Sequence, residues 1–390
     1  MNSRPLGYCA SQVDSPNIGT REQNLLSLSY GNIVRKDIAG SDGLLPESFE
    51  TYNVVEPGDT VLRLTDLQND QRSLRVGFVQ ERGIITSAYV TLRPQHDVDP
   101  RFFSYVLKSM DFRKDFYALG AGVRQSLKFD ELKRVQIHLP ALKEQRAIAD
   151  YLDTETARID SLIDKKQRMV DLLEERLQTA LRIRLSNLQA PVLPLKRAWR
   201  VMDCKHRTPI YVDDGFPVVS PGDVSPGRLD LSRATRFVSL EDLDDLTEGS
   251  RRPRRGDVIY SRNASIGTAA FVDTDDRFCM GQDVCLITSV DHDQLFLTYV
   301  LNTVGLDQLD VQKIGSTFSR VNISQIVEIL VPVPAPAEQE EVAGELDRMS
   351  TQSRLVQAKL RHQITMLGEH RQALITAAVT GELEVSGVAA

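Results

Sequence analysis

The feature that most constrains the fold of this chain is an internal duplication. A Gly-Asp pair at residues 58–59 begins a short β-branched run, and the same pair at 256–257 begins a similar run. Residues 140–145 have the sequence Pro-Ala-Leu-Lys-Glu-Gln, and they are matched 194 positions later by 334–339, Pro-Ala-Pro-Ala-Glu-Gln. Because the motifs recur in the same order at nearly constant spacing, we expect two copies of one folding unit.

The segment after each Glu-Gln pair predicts a long helix. Residues 145–188 contain no Pro and no Gly, and steps of four and three from Ile148 meet apolar residues at eight of twelve positions. The same steps from Val342 again meet eight. This spacing is typical of amphipathic helices with a heptad-like stripe. A helix of about 40 residues is ~60 Å long, longer than a globular module needs, so we expect it to act as a spacer.

Each module is predicted to be β-rich, because short β-branched runs alternate with Gly, Pro and Asp. One helix interrupts each module, at 100–110 and 294–304, behind the N-caps Asp99 and Asp293. The expected fold class is α+β, with two β-rich domains separated by two long antiparallel helices in coiled-coil-like packing and an approximate internal two-fold axis. The predicted boundaries are 1–142 for the first domain, 143–190 for the first helix, 191–336 for the second domain, and 337–390 for the second helix and tail.

Composition bounds the class of protein. The chain has 390 residues, of which 41% are hydrophobic and 26% charged, which is typical of a soluble multi-domain protein. It contains neither an apolar run of about 20 residues nor a signal-like N-terminus, so we expect a cytoplasmic protein without a membrane partner. The net charge is -7. The segment 191–335 carries 16 Lys+Arg against 20 Asp+Glu, so a surface that binds nucleic acid must be a local basic patch.

The motifs in this order resemble the specificity (S) subunits of type I restriction-modification systems. Two target-recognition domains alternate with two helices in that family, and the junction carries Pro-x-x-x-x-Glu-Gln, as at 140–145 and 334–339. The segment from Asp203 to Tyr211 is also similar to the family, and the resemblance covers about residues 25 to 384. One departure is that family members begin with a Trp-containing strand, as at 195–199, whereas the first module has no such segment before Leu26.

The resemblance implies a function without catalysis in this chain. Each domain would read one half-site in a major groove, and the paired helices would fix the distance between half-sites. Because the two modules differ in sequence, the target would be asymmetric. Adenine methylation and ATP-driven cleavage would belong to partner subunits, namely adenine methyltransferase subunits, two of them, and restriction/translocase subunits.

The residues themselves agree that catalysis lies elsewhere. The sequence has no phosphate-binding Gly-rich loop and no Asn-Pro-Pro-Tyr motif. The four cysteines and six histidines match no zinc template, and Cys204 with His206 lacks further ligands in the sequence pattern. We therefore expect no metal, no cofactor and no catalytic residue, and a packed cysteine beside a polar histidine.

The candidate DNA-binding residues lie in loops that combine Arg or Lys with amide and hydroxyl side chains, which can contact phosphates and base edges. They are Arg63, Thr65, Gln68, Asn69, Arg72, Ser73, Arg75, Arg124, Gln125 and Lys128 in the first module, and Lys205, His206, Arg207, Arg262, Asn263, Ser265, Thr317, Ser319 and Arg320 in the second. The arginine-rich segment 251–255 is either a phosphate-binding patch or the partner of the acidic segment 241–248.

Two other functions stay open at this level. A structural adaptor with two protein-binding modules on a coiled-coil stalk is favoured slightly by the negative charge. A standalone nuclease or transferase is disfavoured because no complete active-site constellation is visible.

Overall fold

The structure, a computed structural model, describes residues 3–36, 48–67, 74–119, 126–313 and 320–385. The chain divides into two compact units, of which the first comprises Met1–Gln167 with Arg361–Ala390 and the second Arg168–Leu360. Each long helix contributes residues to both units. The domain boundaries expected from the sequence stay a prediction.

Among the residues that the structure describes, the first unit contains ten short strands, three helices and the first part of a fourth. These are β1 (Ser3–Pro5), β2 (Ala10–Gln12), β3 (Leu26–Ser29), β4 (Asn32–Arg35), β5 (Asn53–Val55), β6 (Thr60–Leu62), β7 (Val76–Phe78), β8 (Gly83–Ile85), β9 (Val90–Pro94) and β10 (Gln136–His138), with α1 (Pro100–Phe112), α2 (Asp115–Leu119), α3 (Phe129–Leu132) and α4 (Leu142–Ser186).

The strands of the first unit form an antiparallel sheet of order β2-β9-β6-β7 and three two-stranded pairs, β1-β10, β3-β4 and β5-β8. Helix α1 packs beside this sheet, and Phe102, Phe103 and Leu107 are buried in its core. The carboxylate of Asp99 accepts hydrogen bonds from the backbone N–H groups of Arg101 and Phe102 at 3.0 and 3.1 Å, as predicted for an N-cap.

The described part of the second unit contains eleven strands, four further helices and the first part of a fifth. These are β11 (Val192–Pro194), β12 (Arg200–Asp203), β13 (Tyr211–Val212), β14 (Phe216–Val219), β15 (Gly227–Arg228), β16 (Phe237–Val238), β17 (Val258–Ser261), β18 (Ala269–Phe271), β19 (Cys279–Met280), β20 (Val284–Thr288) and β21 (Leu330–Pro332), with α5 (Leu240–Leu246), α6 (Gln294–Val300), α7 (Leu306–Lys313), α8 (Ile323–Ile326) and α9 (Pro336–Thr380).

The main sheet of the second unit has the order β12-β20-β17-β18-β15, and a smaller sheet has the order β13-β16-β14-β19. The helix predicted at 294–304 is confirmed as α6 and continues through a π-helical turn, Leu301–Gly305, into α7. The Asp293 carboxylate accepts a hydrogen bond from the Phe296 N–H at 2.6 Å. The predicted α+β class with two long helices is confirmed.

The repeated Gly-Asp pair forms the same turn in both units. Gly58 and Gly256 have φ of 99° and 96°, a left-handed conformation that favours glycine. The Asp59 carboxylate accepts a hydrogen bond from the Glu56 N–H at 2.8 Å, and Asp257 accepts one from the N–H of residue 254 at 2.8 Å. The motif is therefore structural, because it sets the turn before the central strands β6 and β17.

The repeated Glu-Gln pair also has a structural role. Gln145 is 1% exposed, its side-chain oxygen accepts from the Asp99 N–H at 2.8 Å, and its nitrogen donates to the Pro140 carbonyl at 2.9 Å. Gln339 is fully buried and makes the equivalent bonds with the Asp293 N–H at 2.9 Å and the carbonyl of residue 334 at 2.8 Å. Each glutamine fastens the start of a long helix to the capped end of the domain helix.

Helices α4 and α9 lie antiparallel within each unit. In the first unit, Asp160 pairs with Arg371 at 2.9 Å, and Lys166 donates to Gln363 at 2.7 Å. Residue numbers therefore rise along α4 as those of its partners on α9 fall. In the second unit the segments around Glu174 and Arg184 contact 357 and 345 in the same sense. None of the described helices is long and apolar enough to cross a membrane.

The heptad-like stripe is correct near the start of α4 and wrong farther along it. Ile148 and Leu152 are buried, whereas Ile183 on the same stripe is 56% exposed and Leu181 and Leu185 are buried instead. A stride of 3.5 residues drifts by about 20° per heptad from the 3.6 residues per turn of a straight helix. The buried face therefore leaves the predicted positions over the length of the helix.

The first module does contain the opening segment that the sequence suggested it lacked. Strand β1 pairs with β10 as β11 pairs with β21, and the Leu6 N–H donates to the Val135 carbonyl as that of Leu195 donates to Ile329. A short 3-10 helix and a strand follow in both copies. The expectation that this segment is missing was wrong because it depended on a tryptophan. The first copy has Cys9 and Ala10 near the position of Trp199.

Candidate nucleic-acid interface

Two of the predicted segments in the second unit meet at Asp203, the last residue of β12. One carboxylate oxygen pairs with the guanidinium of Arg262, and the other lies 3.1 Å from Nε2 of His206. The backbone of Arg262 is fixed in turn, because its N–H donates to the Asp283 carbonyl at 2.8 Å and its carbonyl accepts from the Val321 N–H at 2.9 Å. Asp203 therefore joins the loop after β12 to the loop after β17.

A second aspartate joins the third segment to this surface. The Asp283 carboxylate lies 2.8 Å from Nε of Arg320, and Asn263 donates its side-chain N–H to the same carboxylate at 3.3 Å. Ser265 donates its hydroxyl to the Pro221 carbonyl at 2.6 Å. Residues 205–207, 262–265 and 320 thus come from distant parts of the chain and form one surface, which we call the second-unit loop cluster.

Two cations of this cluster are turned toward helix α5. The Lys205 ammonium lies 2.6 Å from Asp245 Oδ1 and 3.0 Å from Glu248 Oε2. The Arg207 guanidinium lies 2.7 Å from Asp242 Oδ1 and 2.7 Å from Asp245 Oδ2. His206, between them in sequence, has a 60% exposed side chain.

In the first unit the structure places the ends of two predicted loops side by side. The Leu127 N–H donates to the Leu64 carbonyl at 2.9 Å, which brings Thr65 and Lys128 to neighbouring positions, and both are exposed. Arg63 is partly buried, and its N–H donates to the carbonyl of residue 75 at 2.9 Å. The bond between Leu127 and Leu64 has an equivalent in the second unit, where the N–H of residue 321 donates to the carbonyl of residue 262 at 2.9 Å.

Several candidate residues lie outside the described residues, so their DNA-binding role stays a prediction. They are Gln68, Asn69, Arg72, Ser73, Arg124, Gln125, Thr317 and Ser319.

The prediction that Arg75 contacts DNA is corrected. Arg75 is fully buried, and its guanidinium donates to the carbonyls of Arg63, Thr65 and Asp66 at 2.9 to 3.2 Å. Its backbone N–H donates to the Asp111 carboxylate at 2.6 Å. Burial raises the pKa of the Asp111 carboxyl. Arg75 therefore stabilises the loop from its buried side, because its guanidinium N–H groups donate to loop carbonyls that point inward.

The prediction for Arg262 is corrected for the same reason. Its side chain is 4% exposed and is held by the Asp203 carboxylate and the Val321 carbonyl. In the segment 251–255, Arg252 lies 3.6 Å from Asp244 of the acidic segment 241–248. Arg255 lies 2.6 Å from Asp273 and 2.9 Å from Asp275, which are outside that acidic segment. These arginines pair within the protein. The exposed His206 and Arg320 and the half-buried Asn263 remain the candidates for contact with DNA.

Asp203, Cys204 and His206 are the one group of potential metal ligands found among the described residues, with donor atoms within 4.8 Å of one another. The Asp203 carboxylate is already used by Arg262 and His206. Burial raises the pKa of the Cys204 thiol, which disfavours the thiolate that a metal requires. The arrangement fits a packed cysteine beside a polar histidine better than it fits a metal site.

Sequence reasoning missed the residues that assemble the second-unit loop cluster. Asp283 has φ of 66°, so it occupies a tight turn from which its carboxylate reaches two loops. The Gln282-Asp283 turn before β20 was the available signal, since aspartate tolerates this conformation. Asp203 was noticed only as part of a motif, although its carboxylate is the contact that aligns His206 with Arg262.

The DNA specificity domain of type I restriction-modification systems matches this chain at residues 77–169 and 214–366, which together exceed half of its length. The chain belongs to this family. The two matched segments fall in the two copies of the internal repeat, and each includes part of a module and part of the helix that follows it.

Two curated relatives are specificity subunits of the same class. The type I restriction enzyme StySPI specificity subunit of Salmonella potsdam is 22% identical over 315 residues, covering 75% of this chain and 67% of the relative. The type I restriction enzyme EcoDI specificity subunit of Escherichia coli is 19% identical, covering 65% of this chain and 63% of the relative. The chain thus spans about two thirds of the length of each.

Solved structures share the fold. One from a study of complex assembly and conformational transition of the type I restriction-modification system is 18% identical, with a TM-score of 0.73 and 98% of each chain covered. The HsdS subunit of Thermoanaerobacter tengcongensis is 15% identical, with a TM-score of 0.51, 98% of this chain covered and 97% of that chain. At these identities the specificity-domain fold is what the likeness establishes.

Proposed function

We propose that this chain is the non-catalytic DNA sequence-recognition subunit of a type I restriction-modification complex, and that it recognises an asymmetric bipartite target with one half-site per domain. The observation that carries the proposal is the family match in both copies of a duplicated module-plus-helix unit. The scaffold repeats while the exposed loop residues differ, which favours two different half-sites. Adenine methyltransferase subunits, two of them, and restriction/translocase subunits would supply the chemistry.

The proposed division is 1–142 and 191–336 for the recognition domains, and 143–190 and 337–390 for the spacer helices with the tail. Helices α4 and α9 each run unbroken for 45 residues, or ~68 Å at 1.5 Å per residue. Polar bonds between them, such as Lys166 to Gln363 at 2.7 Å, fix their register within a unit. The helix pair is proposed to set the distance between half-sites.

The exposed part of the second-unit loop cluster is proposed to contact the second half-site. Asn263 offers an amide that can pair with adenine, and Arg320 offers a guanidinium that can pair with guanine or phosphate. Thr65 and Lys128 would serve the first half-site, with Arg63 and the candidates outside the described residues.

The first test is to find the target by methylation-sensitive sequencing of host DNA and then to measure binding of the full chain to target and random duplexes. Arg320→Ala should relax one base position if the residue meets guanine, or weaken binding to both duplexes and flatten the salt dependence if it meets phosphate. Arg182→Ala on α4 removes the same charge outside the loops and should change neither. Absence of binding to any duplex, alone or with the methyltransferase, would favour the adaptor function.

The second test concerns the spacer. One extra helical turn in both α4 and α9 adds ~5.4 Å, so the methylated motif should gain one or two base pairs between half-sites, at about 3.4 Å per pair. An unchanged spacer would contradict the proposed role of the helices while leaving DNA recognition intact.

A further inference from the structure

Helix α5 carries a dense set of carboxylates on a fixed support. Its buried leucines, Leu243 and Leu246, pack with Val238 and Cys279 of the smaller sheet. The hydroxyl of its N-cap, Ser239, accepts a hydrogen bond from the backbone N–H of residue 242 at 3.2 Å. The packing and the N-cap hold α5 in a defined orientation, so the acidic side chains on its outer face have fixed starting positions.

Two of these carboxylates, together with Glu248 just after the helix, face the cations of the loop after β12, and Asp245 is shared between both cations. Its two oxygens lie 2.6 Å from the Lys205 ammonium and 2.7 Å from the Arg207 guanidinium. Glu248 and Asp242 each take one further contact, with Lys205 and Arg207 respectively. The Lys205 ammonium beside Asp245 keeps the pKa of that carboxyl below its usual value, so Asp245 is charged at neutral pH.

Carboxylate and phosphate oxygens accept hydrogen bonds from the same ammonium and guanidinium donors, so they compete for them. The side chains of Lys205, Arg207 and Asp245 are 29%, 43% and 37% exposed. Ion pairs with this exposure are weak because water screens them. The loop cations can therefore exchange from α5 to a phosphate backbone without unfolding the helix, but each exchange gives up an existing pair.

We propose that Asp245 is an intramolecular competitor for DNA phosphate and sets the affinity of the second domain for any duplex by holding Lys205 and Arg207. This inference rests on the proposed DNA-recognition function. It adds that the acidic helix lowers sequence-independent binding, which phosphate contacts dominate. A subunit whose affinity depends less on phosphate contacts relies more on its base contacts.

The helix offers a matched control. Asp244 stands next to Asp245 on α5 and lies 2.6 Å from Arg277 and 3.6 Å from Arg252, neither of which is in the loop after β12. Asp244→Asn and Asp245→Asn remove the same charge from the same helix. A long-range charge effect would act through both, whereas competition for the loop cations acts only through Asp245.

The experiment measures binding of the full chain to a random-sequence duplex over a range of salt concentrations. We expect Asp245→Asn to tighten binding about 3- to 10-fold, as expected for the release of two exposed ion pairs, and to steepen the salt slope by about 0.9 for each phosphate gained. Asp244→Asn should change little. Adding Lys205→Ala should remove much of the gain in the Asp245→Asn chain and have a smaller effect in the parent chain.

Equal effects of the two aspartate variants, or weaker binding by Asp245→Asn with an unchanged melting temperature, would overturn the inference and leave DNA recognition standing. If neither the parent chain nor Asp245→Asn binds any duplex, the proposed function fails and the inference fails with it. Thermal melting of each variant separates these outcomes from a loss of folding.

Discussion

In the first unit the loop after the Gly-Asp strand is held from within by Arg75, whereas in the second unit Arg262 holds the corresponding loop. Arg75 donates to three carbonyls of its own loop. Arg262 instead reaches the Asp203 carboxylate and the Val321 carbonyl, so it ties its loop to two other segments. In both units a buried guanidinium stabilises a polar loop, but it comes from different positions in the repeat, Arg75 and Arg262.

The framework beneath the loops shows no such difference. Gln145 and Gln339 make equivalent bonds, and so do the tyrosines of the domain helices, Tyr105 with Asp153 at 2.8 Å and Tyr299 with Asp347 at 3.0 Å. The comparison teaches that each module is attached to its helix by the same residue contacts in both units. The loops, in contrast, are stabilised by different contacts in the two units. Loops that vary in this way can carry different half-site specificities on one framework.

The largest expected effect on folding stability comes from removing the buried guanidinium that holds the loop in each unit. Arg75→Met and Arg262→Met each remove a buried guanidinium from its carbonyl or carboxylate partners, and we expect each to cost ~3–5 kcal/mol of folding free energy. Differential scanning calorimetry with hydrogen exchange should show the loss confined to the unit that carries the substitution. Arg113→Met removes a partly exposed arginine that pairs with Asp115 and should cost much less. If Arg75→Met kept full stability and lost DNA binding, the original prediction for Arg75 would return.

These arginines also show where sequence reasoning reaches its limit. The Gly-Asp turns, the two helix caps and the long helices were predictable because each depends on residues close in sequence. Nothing in the segment 63–75 distinguishes the buried Arg75 from other arginines of the loop, because its burial depends on carbonyls that turn inward where Asp66 has φ of 57°. The pairing of Lys205 with Asp245 spans 40 positions and required the fold.

The second expected effect tests the shared framework. Gln145→Ala and Gln339→Ala each leave a buried backbone N–H and a carbonyl unpaired, which should cost ~2–4 kcal/mol. The two losses should be nearly equal, because the two sets of bonds have the same geometry. Protection of the Asp99 and Asp293 amides in hydrogen exchange measures them separately. Gln178→Ala, on the exposed surface of α4, is the control. Unequal losses would show that only one junction depends on its glutamine.

A third effect, about 1 kcal/mol at neutral pH, is expected for Tyr105→Phe or Tyr299→Phe, since each removes one hydrogen bond to an aspartate. Burial raises the pKa of Tyr105 and of Tyr299 to about 12, from an ordinary value of 10.0. Their stabilisation is therefore fully present below pH 10 and is lost as the pH rises toward 12.

Urea unfolding at several pH values checks this effect. The parent chain should lose stability between pH 10 and 12, and each phenylalanine variant should lose less over the same interval. Tyr8→Phe, in which the parent residue is 73% exposed, should leave the alkaline profile unchanged. A profile that is identical in all four chains would mean that these tyrosines are not protected by burial.

The smallest expected effect comes from exchanging a residue that the two units do not share. Arg93 makes two contacts of 2.7 Å with the Asp59 carboxylate, whereas the strand register places Thr288 across from Asp257 in the second unit. The side chains of Arg93 and Asp59 are 48% and 1% exposed, so water reaches the guanidinium, while the buried carboxylate keeps its hydrogen bond from the Glu56 N–H at 2.8 Å. Arg93→Thr should cost no more than about 1 kcal/mol, because Asp257 forms the same turn beside a threonine. Thr288→Arg is the reciprocal change and should stabilise the second unit by no more than that amount in thermal unfolding. A loss of several kcal/mol in Arg93→Thr would mean that Asp59 needs its arginine, and that the two Gly-Asp turns are equivalent in geometry but not in energy.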